Sequence, residues 1–83
     1  MRATVLVRPK DGILDPQGEA VRGGLGHLGF SVREARVGRV IDLDVDAQTA
    51  ADARAAVERM CERLLANPLI ESYEIQIDDR EAA

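Results

Sequence analysis

The chain has 83 residues, enough for one small domain and too few for a two-domain enzyme. Its hydrophobic fraction of 46% with 31% charged residues is that of a globular chain, and its net charge of −4 argues against a nucleic-acid binder, which needs a basic face. Phe30 and Tyr73 are the only aromatics, too few for a base-stacking platform, so the core must be built from Val, Ile, Leu and Ala.

The first predicted element is a half-buried strand from Arg2 to Arg8, with Ala3, Val5 and Val7 on one side and Arg2, Thr4 and Arg8 on the other. Leu6 is the exception to the alternation. Pro9 ends the strand because proline has no N–H for a ladder, and Lys10-Asp11-Gly12 is turn chemistry. Asp15-Pro16 then opens a helix: the carboxylate can cap free N–H groups and proline suits the first helical position. Val21, Leu25 and Leu28 form its apolar stripe, and Gly29 is the expected left-handed stop. Gly18, Gly23, Gly24 and Gly26 each cost about 1 kcal/mol relative to alanine. Such a helix must be held by tertiary or quaternary packing, and its glycines allow another backbone to approach closely.

Ser31 to Asp46 reads as extended. Ala35, Val37, Ile41, Leu43 and Val45 share one parity, and Glu34, Arg36, Asp42, Asp44 and Asp46 the other. Gly38 fits a bulge, a bend or a tight turn, so the segment is either one long bent strand or two strands in a hairpin. Thr49 caps a second helix, with Asp52 completing an approximate capping box. Its stripe is Ala53, Val57, Met60 and Leu64, widened by Ala56 and Cys61, and Asn67-Pro68 terminates it. Tyr73, Ile75 and Ile77 alternate with Glu74, Gln76 and Asp78 in a last strand, followed by an expected frayed tail at 79–83. The order β-α-β(β)-α-β predicts a ferredoxin-like α+β sandwich: one antiparallel sheet with both helices on one face. The other face would carry Leu6 among mostly polar groups.

A lone cysteine, Cys61, cannot form an internal disulfide, and no Cys/His spacing suggests structural zinc, which leaves oligomerisation as the expected staple. Residues 1–40 sum to +3 and 41–83 to −7, an asymmetry that can support contacts between chains. No apolar run is long enough to span a membrane, and the N-terminus lacks the apolar core of a signal peptide, so the expected compartment is the cytoplasm.

No catalytic set emerges. Gly24-Leu25-Gly26-His27-Leu28-Gly29 matches a dinucleotide fingerprint, but at a helix C-terminus, where the dipole repels phosphate. His27 has no second group at useful spacing, and Cys61 beside an apolar stripe is a structural thiol. Asp42, Asp44 and Asp46, like Asp78-Asp79, read as solvated faces, because divalent-cation sites usually draw ligands from loops as well. Arg33, Arg36 and Arg39 surround Gly38, where arginine can grip a carboxylate or phosphate, or form a solvated basic turn. The chain reads as a partner more than as an enzyme.

Three segments together resemble the PurS family, the small subunit of multi-chain phosphoribosylformylglycinamidine synthase. They are Lys10-Asp11-Gly12-Ile13-Leu14-Asp15-Pro16-Gln17-Gly18, then Gly29-Phe30-Ser31-Val32 with Arg36-Val37-Gly38-Arg39, then Leu64-Leu65-Ala66-Asn67-Pro68-Leu69-Ile70-Glu71-Ser72-Tyr73. Arg39 and Asp42 stand where the family is expected to have Lys and Glu, swaps that keep charge. The resemblance implies a role in purine synthesis, in converting formylglycinamide ribonucleotide to formylglycinamidine ribonucleotide with ATP and glutamine. It implies two partners, a PurQ-type glutaminase that releases ammonia and a PurL-type synthetase that uses ATP and Mg, with no cofactor in this chain. The small subunit would bridge them, and its copies would pair through their sheets as dimers or tetramers. The expected partner contacts are the turn at Lys10, Asp11 and Gly12 and the loop at Arg36, Gly38 and Arg39. The alternative is an ACT-type sensor domain, which shares the strand-helix order and holds a small ligand at a dimer interface.

Overall fold

The computed structural model of the chain describes residues 1–78, and the tail at 79–83 lies outside the described residues. Strand β1 spans Arg2–Pro9, helix α1 Pro16–His27, strand β2 Arg39–Asp44, helix α2 Ala50–Met60 and strand β3 Glu71–Asp78. A π-helical turn, Cys61–Leu65, prolongs α2. The strands form an antiparallel sheet in the order β2-β1-β3, so the first strand of the chain is its centre. The architecture is ferredoxin-like α+β.

Alternation does what the sequence predicts in β1. Ala3, Val5 and Val7 are buried, and Val5 sits in register between Ile41 of β2 and Ile75 of β3. α2 covers this face with Ala53, Val57 and Cys61, all buried. The row differs from the expected one, since Met60 is partly exposed and Leu64 is 83% exposed. The reason is the π-helical turn: a wider turn takes in one more residue, so the inward row runs Val57, Cys61, Leu65 instead of through Leu64. The opposite face is polar apart from Leu6 and Val40, with the Thr4 hydroxyl donating to Asp42 Oδ1 at 3.0 Å.

The helix ends follow their chemistry. Asp15 Oδ1 accepts from the Gly18 N–H at 3.0 Å, and Thr49 Oγ1 from the Asp52 N–H at 3.1 Å. Gly29, at φ +96°, turns the chain off α1 while the Phe30 N–H closes on the Leu25 carbonyl at 3.0 Å.

Two further features depart from expectation. Between Ser31 and Asp46 only Arg39–Asp44 is strand, prolonged by the backbone bonds that Val45 and Met1 exchange, so the segment holds one short strand and no hairpin. Gly38 marks its entrance: a Cβ there would lie 2.0 Å from the Val7 carbonyl oxygen, so only glycine lets the chain swing in against β1. Residues 31–38 before it are an unpaired connection. The second feature is α1, which shares little of α2's packing and is tied to the body at its N-terminal end. Asp15 Oδ2 accepts from the Val37 N–H at 2.8 Å, and Gly18 approaches the Ala35 carbonyl so closely that a Cβ would sit 2.2 Å from its oxygen. The radius of gyration, 16.1 Å, therefore exceeds the value of about 12 Å for a compact domain of this length.

Candidate partner-docking site

The first and third segments and the Arg36–Arg39 part of the second converge at one end of the sheet. Where β1 stops at Pro9, the Lys10 N–H donates to the Ile70 carbonyl at 2.8 Å and Lys10 Nζ to the Pro68 carbonyl at 2.7 Å. Gly12 completes that turn at φ +82°. The Asn67 side chain shapes the second turn, its Oδ1 accepting from the Leu69 N–H at 3.1 Å. The second segment meets the first through Asp15 and Val37 and through an ion pair, Arg36 Nη1 to Asp11 Oδ1 at 3.3 Å.

Arg39 joins the third segment to the second. Its guanidinium forks onto Glu71, with Nη1 to Oε2 at 2.8 Å and Nη2 to Oε1 at 3.1 Å, and also donates to the Leu65 carbonyl. Glu71 Oε1 further accepts from the Asn67 N–H at 2.7 Å. Of the two outcomes open for this arginine, gripping a carboxylate is the one the structure shows, and the carboxylate belongs to its own chain. The positive head also lies against the carbonyl end of the helical segment, where the backbone dipole favours it.

Electrostatics follow this geometry. The Arg39 fork, aided by the Asn67 N–H, holds the Glu71 carboxyl below the ordinary glutamate range. The Val37 and Gly18 N–H groups, with the charge of Arg36 adding to them, hold Asp15 below the ordinary aspartate range. Cys61 is driven the other way, its thiol pushed up by burial and by Glu58 and Glu62.

Of the expected contact residues, Lys10, Asp11, Gly12 and Arg36 line one cleft of about 480 Å³, walled by Glu19 and Arg22 of α1. Gly38 and Arg39 line a neighbouring cleft of about 430 Å³ with Leu6 and Arg8, and Arg36 belongs to both. Asp11 projects fully into solvent, whereas the Arg36 side chain is 33% exposed. Sequence reasoning treated Asp15 as a helix cap alone and did not single out Glu71 as a partner for Arg39. Both lie inside the matched segments, Asp15 in the first and Glu71 as the one acid of the third. Among the described residues, no group of three or more His, Cys, Asp or Glu gathers as metal ligands.

Fold and site define a small ferredoxin-like α+β module whose turns are braced into one continuous end surface. The chain belongs to the PurS family: the family model for PurS, phosphoribosylformylglycinamidine (FGAM) synthase, matches residues 2–79. It is similar to the Methanocaldococcus jannaschii PurS subunit, 37% identical over 93% of this chain and 94% of that one, whose crystal structure superposes with a TM-score of 0.82. The Synechocystis PurS subunit is 41% identical over 99% of this chain and 81% of its own length. The PurLQS structure from Thermotoga maritima contains a chain 33% identical, with a TM-score of 0.82 over 90% of this chain and 93% of that one. Family membership decides between the two classes in favour of the synthase subunit. Among the described residues, no helix is long and apolar enough to cross a membrane.

Proposed function

We propose that this chain is the small subunit of a multi-chain phosphoribosylformylglycinamidine synthase. It docks a glutaminase subunit on an ATP-using synthetase subunit, so that ammonia passes between them protected from solvent. The observation that carries this is its match, over nine-tenths of its length, to a chain of the PurLQS assembly. ATP and Mg then belong to the synthetase, this chain holds no cofactor, and the complex works in the cytoplasm.

The contact surface is the braced end. The turn at Lys10, Asp11 and Gly12 and the cleft lined by Arg36, Gly38 and Arg39 face the partners. A rigid, charged and hydrogen-bonding surface suits a docking role, because little side-chain or loop entropy remains to be lost on binding.

The test is amidine formation by purified synthetase and glutaminase, with and without this chain, using glutamine and then ammonium as nitrogen donor. Adding the chain should raise only the glutamine-dependent rate. If neither rate changes, the docking role is wrong.

A further inference from the structure

The face of the sheet turned away from α2 is polar along most of its length, but not at the end where β1 stops. There Leu6, half-buried, stands in register with Val40, 62% exposed, and the two make an apolar floor. Alternation puts Arg8 on the same face as Leu6, two residues nearer the end of the strand. A Cβ on Gly38 would meet the Val7 carbonyl and stand 3.2 Å from the Arg8 Cα, so the incoming connection lies against β1 and brings Arg36 to the same cleft. That cleft, of about 430 Å³, has no acid among its lining residues.

Its cations are unequally met. Glu71 engages Arg39, and the exposed Asp11 engages Arg36 at 3.3 Å, a pair that solvent weakens. Arg8, exposed, makes no ion pair or side-chain hydrogen bond among the described residues. The acids nearest in register on this face are held by neighbours: Glu74, opposite Leu6, accepts from Gln76 Nε2 at 3.1 Å, and Asp42 accepts from the Thr4 hydroxyl. A guanidinium without a partner, next to exposed methyl groups, fits a carboxylate flanked by an apolar side chain. The planar fork takes both oxygens, and the floor takes the neighbour. On a chain of net charge −4, such a cleft is also a place where an acidic segment approaches without like-charge repulsion. Resting on the docking role above, we propose that this cleft receives an acidic segment of one partner subunit of the synthase. The segment's Asp or Glu carboxylate forks on Arg8 within reach of Arg36, and its apolar neighbour seats on Leu6 and Val40.

Capture of purified synthetase and of purified glutaminase by the immobilised chain tests it. Arg8→Glu should weaken capture of at least one of them about tenfold, because a like charge then faces the acid. Arg8→Lys keeps the charge and loses the fork, so it should lose less. Tm should hold in both variants, since Arg8 fixes no other side chain among the described residues. A loss of capture that merely follows a fall in Tm would overturn the proposal. Capture by the wild-type chain that Arg8→Glu leaves intact would overturn the cleft and leave the docking role standing. Failure of the wild-type chain to capture either subunit would overturn both. Inorganic phosphate at matched ionic strength is the last arm, and it should leave the wild-type Tm unmoved. A rise that Arg8→Gln abolishes would put a free oxyanion in the cleft in place of the partner segment.

Discussion

Arg39 and Glu71 stand on strands that do not neighbour each other, in register with Val7 and Pro9 of the central strand, yet their side chains meet in a two-bond fork. The fork ties β2 to β3, and the third bond, to the Leu65 carbonyl, ties both to the end of the helical layer. One side chain thus closes the core at the point where β1 has run out into Pro9.

Removing that closure should be measurable. Arg39→Ala is expected to cost about 1 kcal/mol, the range of a partly exposed but bidentate pair. In a domain of this size that lowers Tm by roughly 4–8 °C. Arg39→Lys should recover only part of the loss, because an ammonium cannot fork. Thermal unfolding of the three proteins checks the order.

Acid should loosen the same end. Glu71 and Asp15 both have carboxyls lowered in the folded state, from ordinary values of 4.5 and 3.8. Each therefore contributes stability that is present in full above its unfolded value and is lost as pH falls through the folded one. Denaturant midpoints should be flat with respect to these groups near pH 6–7 and fall steadily below the ordinary values, and in Glu71→Gln the fall should be shallower.

Gly38→Ala places a methyl against the Val7 carbonyl, a backbone atom that cannot yield without moving the strand. Overpacking of this kind costs about 1–3 kcal/mol. Gly12→Ala meets nothing within 4 Å and is strained only by its φ of +82°, so it should cost about 1–2 kcal/mol. Urea titration of the two variants should show the larger drop for Gly38.

Cys61 is fully buried with its thiol pushed up, so it should resist alkylation at pH 8 in the folded protein and react at once in denaturant. Rapid labelling under native conditions would contradict the core as described.

Arg36 pairs with the fully exposed Asp11 and adds only its charge to the hydrogen bonds that hold Asp15, so Arg36→Ala should change Tm little while weakening capture of the synthetase and glutaminase subunits. Arg39→Ala should weaken capture in step with its loss of stability. Pull-down beside thermal unfolding separates the two effects.

What was legible in the chain was local. Asp15, Gly29 and Thr49 act on groups a few residues away, so type and spacing were enough to place both helices. Alternation gave β1 and β3 because one face of each is buried. The failures were tertiary. Nothing local says that pairing must wait for Gly38 to clear the Val7 carbonyl, so alternation from Ser31 onwards read as strand. The row on α2 slipped from Leu64 to Leu65 because a π turn leaves no clear mark in composition. Arg39 looked like a surface cation, because its partner lies 32 positions away. The six expected contact residues do gather at one end, with Arg39 engaged by Glu71 and Arg36 by the exposed Asp11.

The central place of β1 also sets a timetable. Its last residue, Pro9, faces Glu71, and its second-strand neighbour β2 is available much sooner. At about 5–20 residues per second, the ribosome needs on the order of 3–12 s to make the intervening 61 residues. For the part of that interval after Asp44 is made, the nascent chain can hold only a two-stranded ribbon, with one side of β1 unpaired. A sister chain emerging nearby could fill it, so dilute synthesis favours the correct third strand.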